Sequence, residues 1–187
     1  MLRPDYPIRT ARLVLRPFAE SDLDDVHDLR SRPEVSRYLY GEPLSRDEAR
    51  EFLGGRMEAV ALEKEGDSLA LAVVVPRLGR VLGQVSLNWR SAEHAQGEVG
   101  FVFHPDAQGH GYATEAAAQM LRLGFEGLGL HRVYGRCDDR NTKSAAVMER
   151  LGMRREAHLV ENGVFKGEWG SELVYAVLAR EWKERQA

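Results

Sequence analysis

The stretch HPDAQGHGYATEA, residues 104–116, restricts the fold of this 187-residue chain more than any other feature. It joins an apolar run that ends at Pro105 to a segment of small residues that begins at Gly111 and is typical of a helix. Gly109 and Gly111 have no Cβ and tolerate positive φ, so the backbone here can turn tightly and approach a ligand closely. The stretch therefore predicts a strand, a glycine loop and a helix in direct succession over residues 97–128.

The glycine loop, residues 108–113, has two interpretations: a tight turn or a phosphate cradle. The first N–H groups of a helix lack intrahelical partners and carry partial positive charge, which suits a pyrophosphate. Two common phosphate-binding motifs do not fit, because no Gly-Lys-Ser/Thr follows the loop and Thr114 stands where a dinucleotide-binding motif has its third glycine. The loop therefore predicts an anion site that belongs to neither motif.

Patterns along the rest of the chain predict one mixed α/β domain. Ser21 and Ser45 suit the N-caps of two helices that follow a first strand. Three strands then lead to the glycine loop, and a strand, a helix and a hairpin that turns at Asn162-Gly163 come after it. We expect one domain over residues 8–180 and a charged tail over 181–187 that frays. The predicted strands outside the hairpin cover 11–17, 67–76, 80–90, 97–105 and 131–138.

The composition narrows the possible partners and location. With 26 Lys and Arg against 29 Asp and Glu, the net charge is −3, which argues against binding of bulk nucleic acid. No apolar run approaches the roughly 18–20 residues of a membrane helix, and the opening residues lack an apolar signal segment, so we expect no membrane association and a cytoplasmic location. Cys137 is the only cysteine, which excludes an internal disulfide. The six histidines form no ligand pattern, so we expect no metal.

Four segments carry a family resemblance, because they occur in the family's order and spacing. They are IRTARLVLRPF, EVGFVFHP, QGHGYATEA and NTKSAAVMERLGM. The chain resembles the GNAT acetyltransferase superfamily over about residues 8–180, and within it the ribosomal-protein alanine N-acetyltransferase (RimJ/RimL-like) branch. The resemblance implies an α/β (α+β) fold with a twisted, mixed, mostly antiparallel sheet of about seven strands flanked by about four helices. It also implies that the strands at 98–104 and 131–138 are parallel and splay into a V.

The same resemblance implies that acetyl-CoA is the acetyl donor. The pantetheine arm is expected to lie along the backbone of Phe101, Val102 and Phe103, where the Val102 or Phe103 N–H would polarise the thioester carbonyl. Asn141 suits the N-cap of the following helix and is expected to contact the pantetheine arm as well, and Ser144, one turn later on the same face, is expected to bind the cofactor with it. The pyrophosphate is expected to lie on the glycine loop, formed by Gln108, Gly109, His110, Gly111, Tyr112 and Ala113.

Two residues are predicted to carry the acid–base chemistry of acetyl transfer to an amine. Many relatives have a tyrosine as the acid four residues after the position of Ser144, and here that position is Met148. Ser144 is therefore the candidate proton donor to the leaving sulfur, directly or through water. Glu98, at the start of the splayed strand, is the candidate base, and a solvated carboxylate is the alternative. Cys137 is interpreted first as a core residue, and a role beside the thioester is the alternative.

The sequence leaves the acceptor amine open. The resemblance favours a protein N-terminal α-amine, and an amino acid, a polyamine or an amine antibiotic is the alternative. Tyr38, Tyr40, Phe165 and Trp169 are candidates for the edge of the acceptor pocket. A catalytically idle acyl-CoA-binding module is the alternative outside the enzymes, whereas a nucleotide-binding protein is disfavoured because no Lys or Mg²⁺-ligand set accompanies the glycines. The sequence is compatible with a monomer and with a homodimer.

Overall fold

A computed structural model describes residues 1–186 of the protein as one eight-stranded sheet with helices on both faces. The strand order is β1-β2-β3-β4-β5-β6-β8-β7, and the predicted mixed α/β fold is confirmed. The strands are β1 (Ile8–Arg9), β2 (Val14–Arg16), β3 (Ser68–Val75), β4 (Arg80–Ser91), β5 (Gln96–Phe103), β6 (Arg132–Asp138), β7 (Arg154–Phe165) and β8 (Glu168–Leu178). The α-helices are α1 (Leu23–Arg30), α2 (Pro33–Ser36), α3 (Arg46–Glu58), α4 (Tyr112–Arg122), α5 (Thr142–Arg150) and α6 (Ala179–Gln186).

The element counts differ slightly from the expected seven strands and four helices. The additional strand is the two-residue β1, which pairs with β2 at the sheet edge. The additional helices are the one-turn α2 and the C-terminal α6. The predicted helix after the glycine loop is also divided, because α4 ends at Arg122 and residues Leu123–Gly127 continue as a π-helical turn.

The sheet divides between β5 and β6. Among residues 1–186, the strand pairs are antiparallel except for this one, which is parallel and paired at Gln96–Arg132, Gly97–Val133 and Glu98–Tyr134. Beyond Glu98 both strands continue without pairing to each other. The predicted splay is confirmed, and it leaves the edge of β5 over residues 99–103 without a strand partner on the β6 side.

The two faces of the sheet are covered differently. On the near face, α4 and α5 pack on the main core, where the small residues Ala116 and Ala117 let α4 lie close to the strands. On the far face, α1 and α3 bury a smaller apolar cluster that includes Val26 and Leu53 and rests on β3 and β4. Where β5, β6 and β8 meet, this far face carries charged side chains, among them Glu98.

The hairpin prediction is correct in kind but its turn is wrong. The two strands reverse at Lys166-Gly167, where both residues have positive φ, +53° and +81°, as a two-residue hairpin turn requires. Asn162 lies inside β7 instead, at an irregularity where Glu161 has φ +47° and the register with β8 shifts. The Asn162 side chain donates to Glu172 Oε2 at 2.7 Å, so tertiary contacts override the local turn signal.

The prediction that the C-terminal tail frays is also wrong for the part of it that the structure describes. Residues 179–186 form α6, and Trp182 is only 6% exposed because its ring packs on Phe125, with 6.0 Å between ring centres. Glu181 accepts the Leu178 N–H at 2.7 Å and also binds Arg154. Burial of one aromatic side chain therefore holds this charged segment against the domain. The last residue of the predicted tail, 187, lies outside the described residues.

Candidate functional site

The glycine loop and the start of α4 present a group of free backbone donors. Gly109 and Gly111 both have φ +78°, the left-handed region that favours glycine. The first hydrogen bond of α4 runs from the Glu115 N–H to the Gly111 carbonyl at 3.0 Å, so the N–H groups of residues 112–114 have no acceptor within the helix. These donors and the helix dipole are what a pyrophosphate at this position needs.

Two cations on α5, which the sequence analysis missed, reach this loop. Lys143 Nζ donates to Gln108 Oε1 at 2.7 Å, and Arg150 Nε donates to Thr114 Oγ1 at 3.3 Å. The two cations are seven residues apart, which places them on one side of the helix two turns from each other. That spacing within NTKSAAVMER was a readable signal for a basic helix face beside the loop.

Arg12 adds a third cation, held beside the loop by Glu115. Glu115 accepts from Arg12 Nε at 2.8 Å and from Thr10 Oγ1 at 2.6 Å. Burial raises the pKa of the Glu115 carboxyl, but these hydrogen bonds outweigh burial and bring the pKa below its usual value. Arg12 also donates to the His110 carbonyl at 2.8 Å and lies over the Tyr112 ring, so its charge stays at the helix end.

A cavity of about 80 Å³ lies where β5 and β6 diverge. It brings together three of the predicted site residues, Phe101, Asn141 and Ser144. Asn141 Oδ1 accepts the Ser144 N–H at 3.1 Å, which confirms that Asn141 is the N-cap of α5. The remaining lining residues are Tyr38, Leu39, Val99, Gly100, Arg136, Cys137 and Met148. A larger cavity of about 360 Å³ adjoins the glycine loop on the side of β2, where Arg12 and Tyr112 line it.

Val102 and Phe103 lie further along β5 than the residues that line the splay cavity. Phe103 is 9% exposed and packs on Gly83, where an added Cβ would come within 2.6 Å of the Phe103 ring. Val102 pairs with Gln84 of β4. The Phe103 side chain therefore serves packing, and the contribution predicted for Val102 and Phe103 rests on their backbone atoms at the edge of β5.

Cys137 lines the splay cavity but is not a reactive thiolate. The side chain is buried, and burial, with smaller contributions from nearby carboxylates such as Asp138, raises the pKa of the thiol to about 11. At neutral pH the thiol is therefore protonated. This agrees with its interpretation as a packing residue, since the thiolate is the nucleophilic form.

Glu98 lies on the far face, at the last position where β5 and β6 pair. Its Oε2 accepts from Arg90 Nε at 2.8 Å and from Arg90 Nη2 at 2.6 Å, and its Oε1 accepts from Arg136 Nε at 3.1 Å. Both carboxylate oxygens are thus bound to guanidinium groups. This geometry favours an anchoring role for Glu98, and its role as a base stays a prediction.

Contacts between the α1–α3 connection and the hairpin lie beside the cavity. Tyr40 Oη donates to the buried carboxylate of Glu172, and burial together with this hydrogen bond raises the pKa of Tyr40 to about 12. The Tyr40 ring packs on Phe165 with 5.0 Å between ring centres, and Lys166 Nζ donates to the Ser36 carbonyl at 2.6 Å. Of the four aromatic residues predicted at this edge, Tyr38 lines the cavity, Tyr40 and Phe165 pair, and Trp169 is 65% exposed.

Comparison with known proteins identifies the family. Residues 12–154 match the family described as Acetyltransferase (GNAT) domain. The chain belongs to the GNAT acetyltransferases. It is 32% identical over 176 residues to the Uncharacterized N-acetyltransferase YnaD of Bacillus subtilis (strain 168), covering 94% of this chain and 98% of that protein. It is 27% identical over 168 residues to the Spermidine N(1)-acetyltransferase of Escherichia coli (strain K12), covering 90% and 87%.

A solved structure agrees with this assignment. The GNAT-family acetyltransferase from Bacillus anthracis superposes with a TM-score of 0.83 at 31% identity, covering 93% of this chain and 99% of that one. The protein is therefore an acetyl-CoA-dependent N-acetyltransferase, and the predicted donor is confirmed. Residues 1–186 contain no group of His, Cys, Asp and Glu arranged to hold a metal ion. Nor is any helix in that range long and apolar enough to cross a membrane.

Proposed function

We propose that this enzyme transfers the acetyl group of acetyl-CoA directly to the α-amino group at the N terminus of a protein. The observation that carries the proposal is the cavity at the splay of β5 and β6. It joins the unpaired edge of β5, the N-terminus of α5 and, through Arg136, the charged far face of the sheet. An amine that enters from the far face would meet a thioester held along β5.

The donor side of the proposal rests on the glycine loop and β5. The N–H groups at the start of α4, with Lys143, Arg150 and Arg12 around them, would bind the pyrophosphate. The free edge of residues 99–103 would pair with the pantetheine arm in the manner of an added strand, and Asn141 would contact the arm from α5. The N–H of Val102 or Phe103 would then stabilise the oxyanion that forms on the thioester carbonyl.

The proposed transfer is direct, without an acetylated enzyme. The amine nitrogen attacks the thioester carbonyl, the carbon–sulfur bond breaks, and Ser144 Oγ relays a proton to the sulfur, directly or through water. The proton that the amine loses passes to water. The protonated state of Cys137 supports this course, because a thiol with a pKa of about 11 is a poor nucleophile at neutral pH.

The hydrogen bonds that Glu98 and Glu172 already accept favour an α-amine over a more basic amine as the acceptor. Glu98 is bound by two arginines and Glu172 by Tyr40 and Asn162, so these two carboxylates are already engaged as hydrogen-bond acceptors. An α-amine with a pKa of about 7.8 is about one-third neutral at pH 7.5, whereas an amine with a pKa of about 10.4 is only about one-thousandth neutral. An α-amine therefore depends less on a base in the enzyme to remove its proton before it attacks. Glu98 is the residue proposed to receive, through water, the proton that the amine loses.

A polyamine is the second candidate acceptor. The specific observation is the relationship to the E. coli spermidine N(1)-acetyltransferase, which extends over 90% of this chain. The two candidates differ in amine basicity and in charge, so they can be separated by rate.

The test is release of the CoA thiol in the presence of acetyl-CoA and matched amines. The first acceptor is the peptide Ala-Gln-Gly-Lys, and its Nα-acetylated form, which keeps only the lysine amine, is the control. We expect release with the free peptide, rising with pH up to about pH 8, and none above background with the blocked peptide. Faster release with spermidine or with the blocked peptide would overturn the α-amine proposal.

A further inference from the structure

The far face beside the splay carries a compact set of opposite charges with Glu98 at its centre. Strand alternation places Glu98 of β5, Arg136 of β6 and Glu172 of β8 on this one face. Arg90 lies at the irregularity of β4 between Trp89 and Ser91 and reaches Glu98 from there. Arg90 and Arg136 bind the Glu98 carboxylate from two sides, and Arg136 Nη1 also lies 3.9 Å from Glu172 Oε2. We call this set the far-face charge cluster.

The acidic and the basic side chains of the cluster differ in their exposure to solvent. The Glu98 and Glu172 side chains are 12% and 6% exposed, whereas those of Arg90 and Arg136 are 45% and 36% exposed. The carboxylates therefore lie beneath the arginines and fix their guanidinium groups. A molecule that enters the far face meets guanidinium N–H groups first, although the cluster as a whole is neutral.

The arginines retain donors for a ligand. A guanidinium has five N–H donors in a planar fork that matches a carboxylate. Arg90 uses Nε and Nη2 on Glu98, and Arg136 uses Nε, which leaves the outer N–H groups of each directed elsewhere. Arg136 is also part of the splay cavity together with Ser144, so an anion bound at the cluster would lie within side-chain reach of the reaction site.

One cation of the segment that covers the cavity adds to this preference. Arg37 is exposed and lies over the ring of Tyr38, which lines the cavity, whereas Arg32 is already paired with Asp28 and Glu34. A cationic polyamine would meet Arg37 together with the exposed guanidinium groups of the cluster. The charges therefore favour an acceptor with a negative group and disfavour one with several positive groups.

We propose that the acceptor is a primary amine with a carboxylate close to it, and that Arg90 and Arg136 bind that carboxylate. This inference rests on the proposed acetyl transfer and specifies its substrate class. The carboxylate has two possible sources: an acidic side chain next to the N-terminal residue of a peptide, or the α-carboxylate of a free amino acid. Arg90 and Arg136 are thus specificity-determining residues, and Glu98 is the residue that positions them.

The test compares peptides that differ in one carboxylate. Ala-Glu-Gly and Ala-Gln-Gly have the same N-terminal residue and nearly the same shape, so the ratio of their kcat/KM values isolates the effect of the charge. We expect the Glu peptide to be favoured at least about tenfold in the wild type, as a charge-assisted hydrogen bond would give. Free alanine distinguishes the second source, since a kcat/KM above that of the Glu peptide assigns the cluster to a free amino acid.

Three variants connect that ratio to the cluster. Arg90→Gln should bring the ratio close to one, and Arg90→Lys should restore part of the preference. Arg122→Gln is the control, because Arg122 is an exposed arginine that pairs with Glu126 on the near-face helix. It should leave the ratio unchanged.

Different results of these measurements would overturn the carboxylate assignment and the proposed acetyl transfer. A wild-type ratio near or below one, or an unchanged ratio in Arg90→Gln, would each overturn the carboxylate assignment and leave acetyl transfer to an α-amine intact. Absence of thiol release with every amine would overturn the proposed function itself.

Discussion

Placing an aspartate at Gly111 tests whether the start of α4 binds the pyrophosphate of acetyl-CoA. Gly111 has φ +78° and ψ +5°, a region that Asp and Asn tolerate better than most other residues. An added Cβ would lie 3.4 Å from Arg12 Nη2, at the limit of ordinary contact. Gly111→Asp and Gly111→Asn therefore share their shape and backbone strain and differ in one negative charge.

The expected difference follows from the position of that charge. At a separation of about 4 Å, two like charges repel by about 1 kcal/mol in bulk water and by about 4 kcal/mol at an effective dielectric constant of ~20. These limits correspond to about fivefold and about 1000-fold in Kd. Arg12 lies beside the new carboxylate and offsets part of the repulsion. We expect the Asp variant to bind acetyl-CoA about 10- to 100-fold more weakly than the Asn variant at low salt.

The assay is calorimetric titration with acetyl-CoA, with a thermal melt of each variant to confirm the fold. Gly129→Asp is the matched control, because Gly129 has φ +73°, is exposed, has no atom within 4 Å of an added Cβ, and lies at the opposite end of the same helical segment. It should bind acetyl-CoA as the wild type does. Equal affinity of the two Gly111 variants, or an equal loss in Gly129→Asp, would refute the assignment of the pyrophosphate to this helix end.

Three further predictions concern single side chains. Ser144→Ala should lower kcat about 10- to 100-fold and change the Kd for acetyl-CoA by a much smaller factor; a wild-type kcat would mean that solvent protonates the sulfur. Alkylation of Cys137 in the native protein should be slow at pH 7.5 and accelerate about tenfold per pH unit towards its pKa of about 11; a pH-independent rate would contradict the protonated thiol. Glu115→Gln should lower the free energy of unfolding at pH 7 by about 2 kcal/mol, because the hydrogen bonds from Thr10 and Arg12 lose their charge. The folded pKa of Glu115 lies below its unfolded value, so this stabilisation is present above the unfolded pKa and lost as pH falls through the folded pKa. Wild type and variant should converge in acid denaturation, and a gap that persists there would indicate a packing effect.

The site residues that could be predicted from the sequence are those whose role depends on their immediate neighbours in the chain. Gly109 and Gly111 are recognisable because only glycine takes their φ readily, and Asn141 because an N-cap is defined by the residues that follow it. The far-face charge cluster has no such signal. Arg90 and Arg136 are 46 residues apart and meet only because β4, β5 and β6 align in a particular register.

The two wrong predictions, the position of the hairpin turn and the fraying of the C-terminal segment, both fail because of long-range contacts. Asn162-Gly163 is a strong local turn signal, yet the Asn162 amide binds Glu172 and the reversal moves to Lys166-Gly167. The charged C-terminal segment has a weak helical pattern, and the burial of Trp182 against Phe125 decides its structure. In both cases a contact between distant residues outweighs the preference of a short segment.

The pairing of β5 with β6, which is only three residues long, affects the stiffness of the sheet. On one side of it β1 to β5 form a continuous antiparallel unit, and on the other side β6, β8 and β7 form a second one. Backbone hydrogen bonds are dense within each unit, whereas the pairing that joins them spans only residues 96–98 on β5. The sheet is therefore stiff within each unit and twists more easily at the β5–β6 pairing, which adjoins the cavity. Small changes of angle between the units would widen or narrow the gap where donor and acceptor meet, so substitutions in the hairpin that touch neither substrate can still tune the rate.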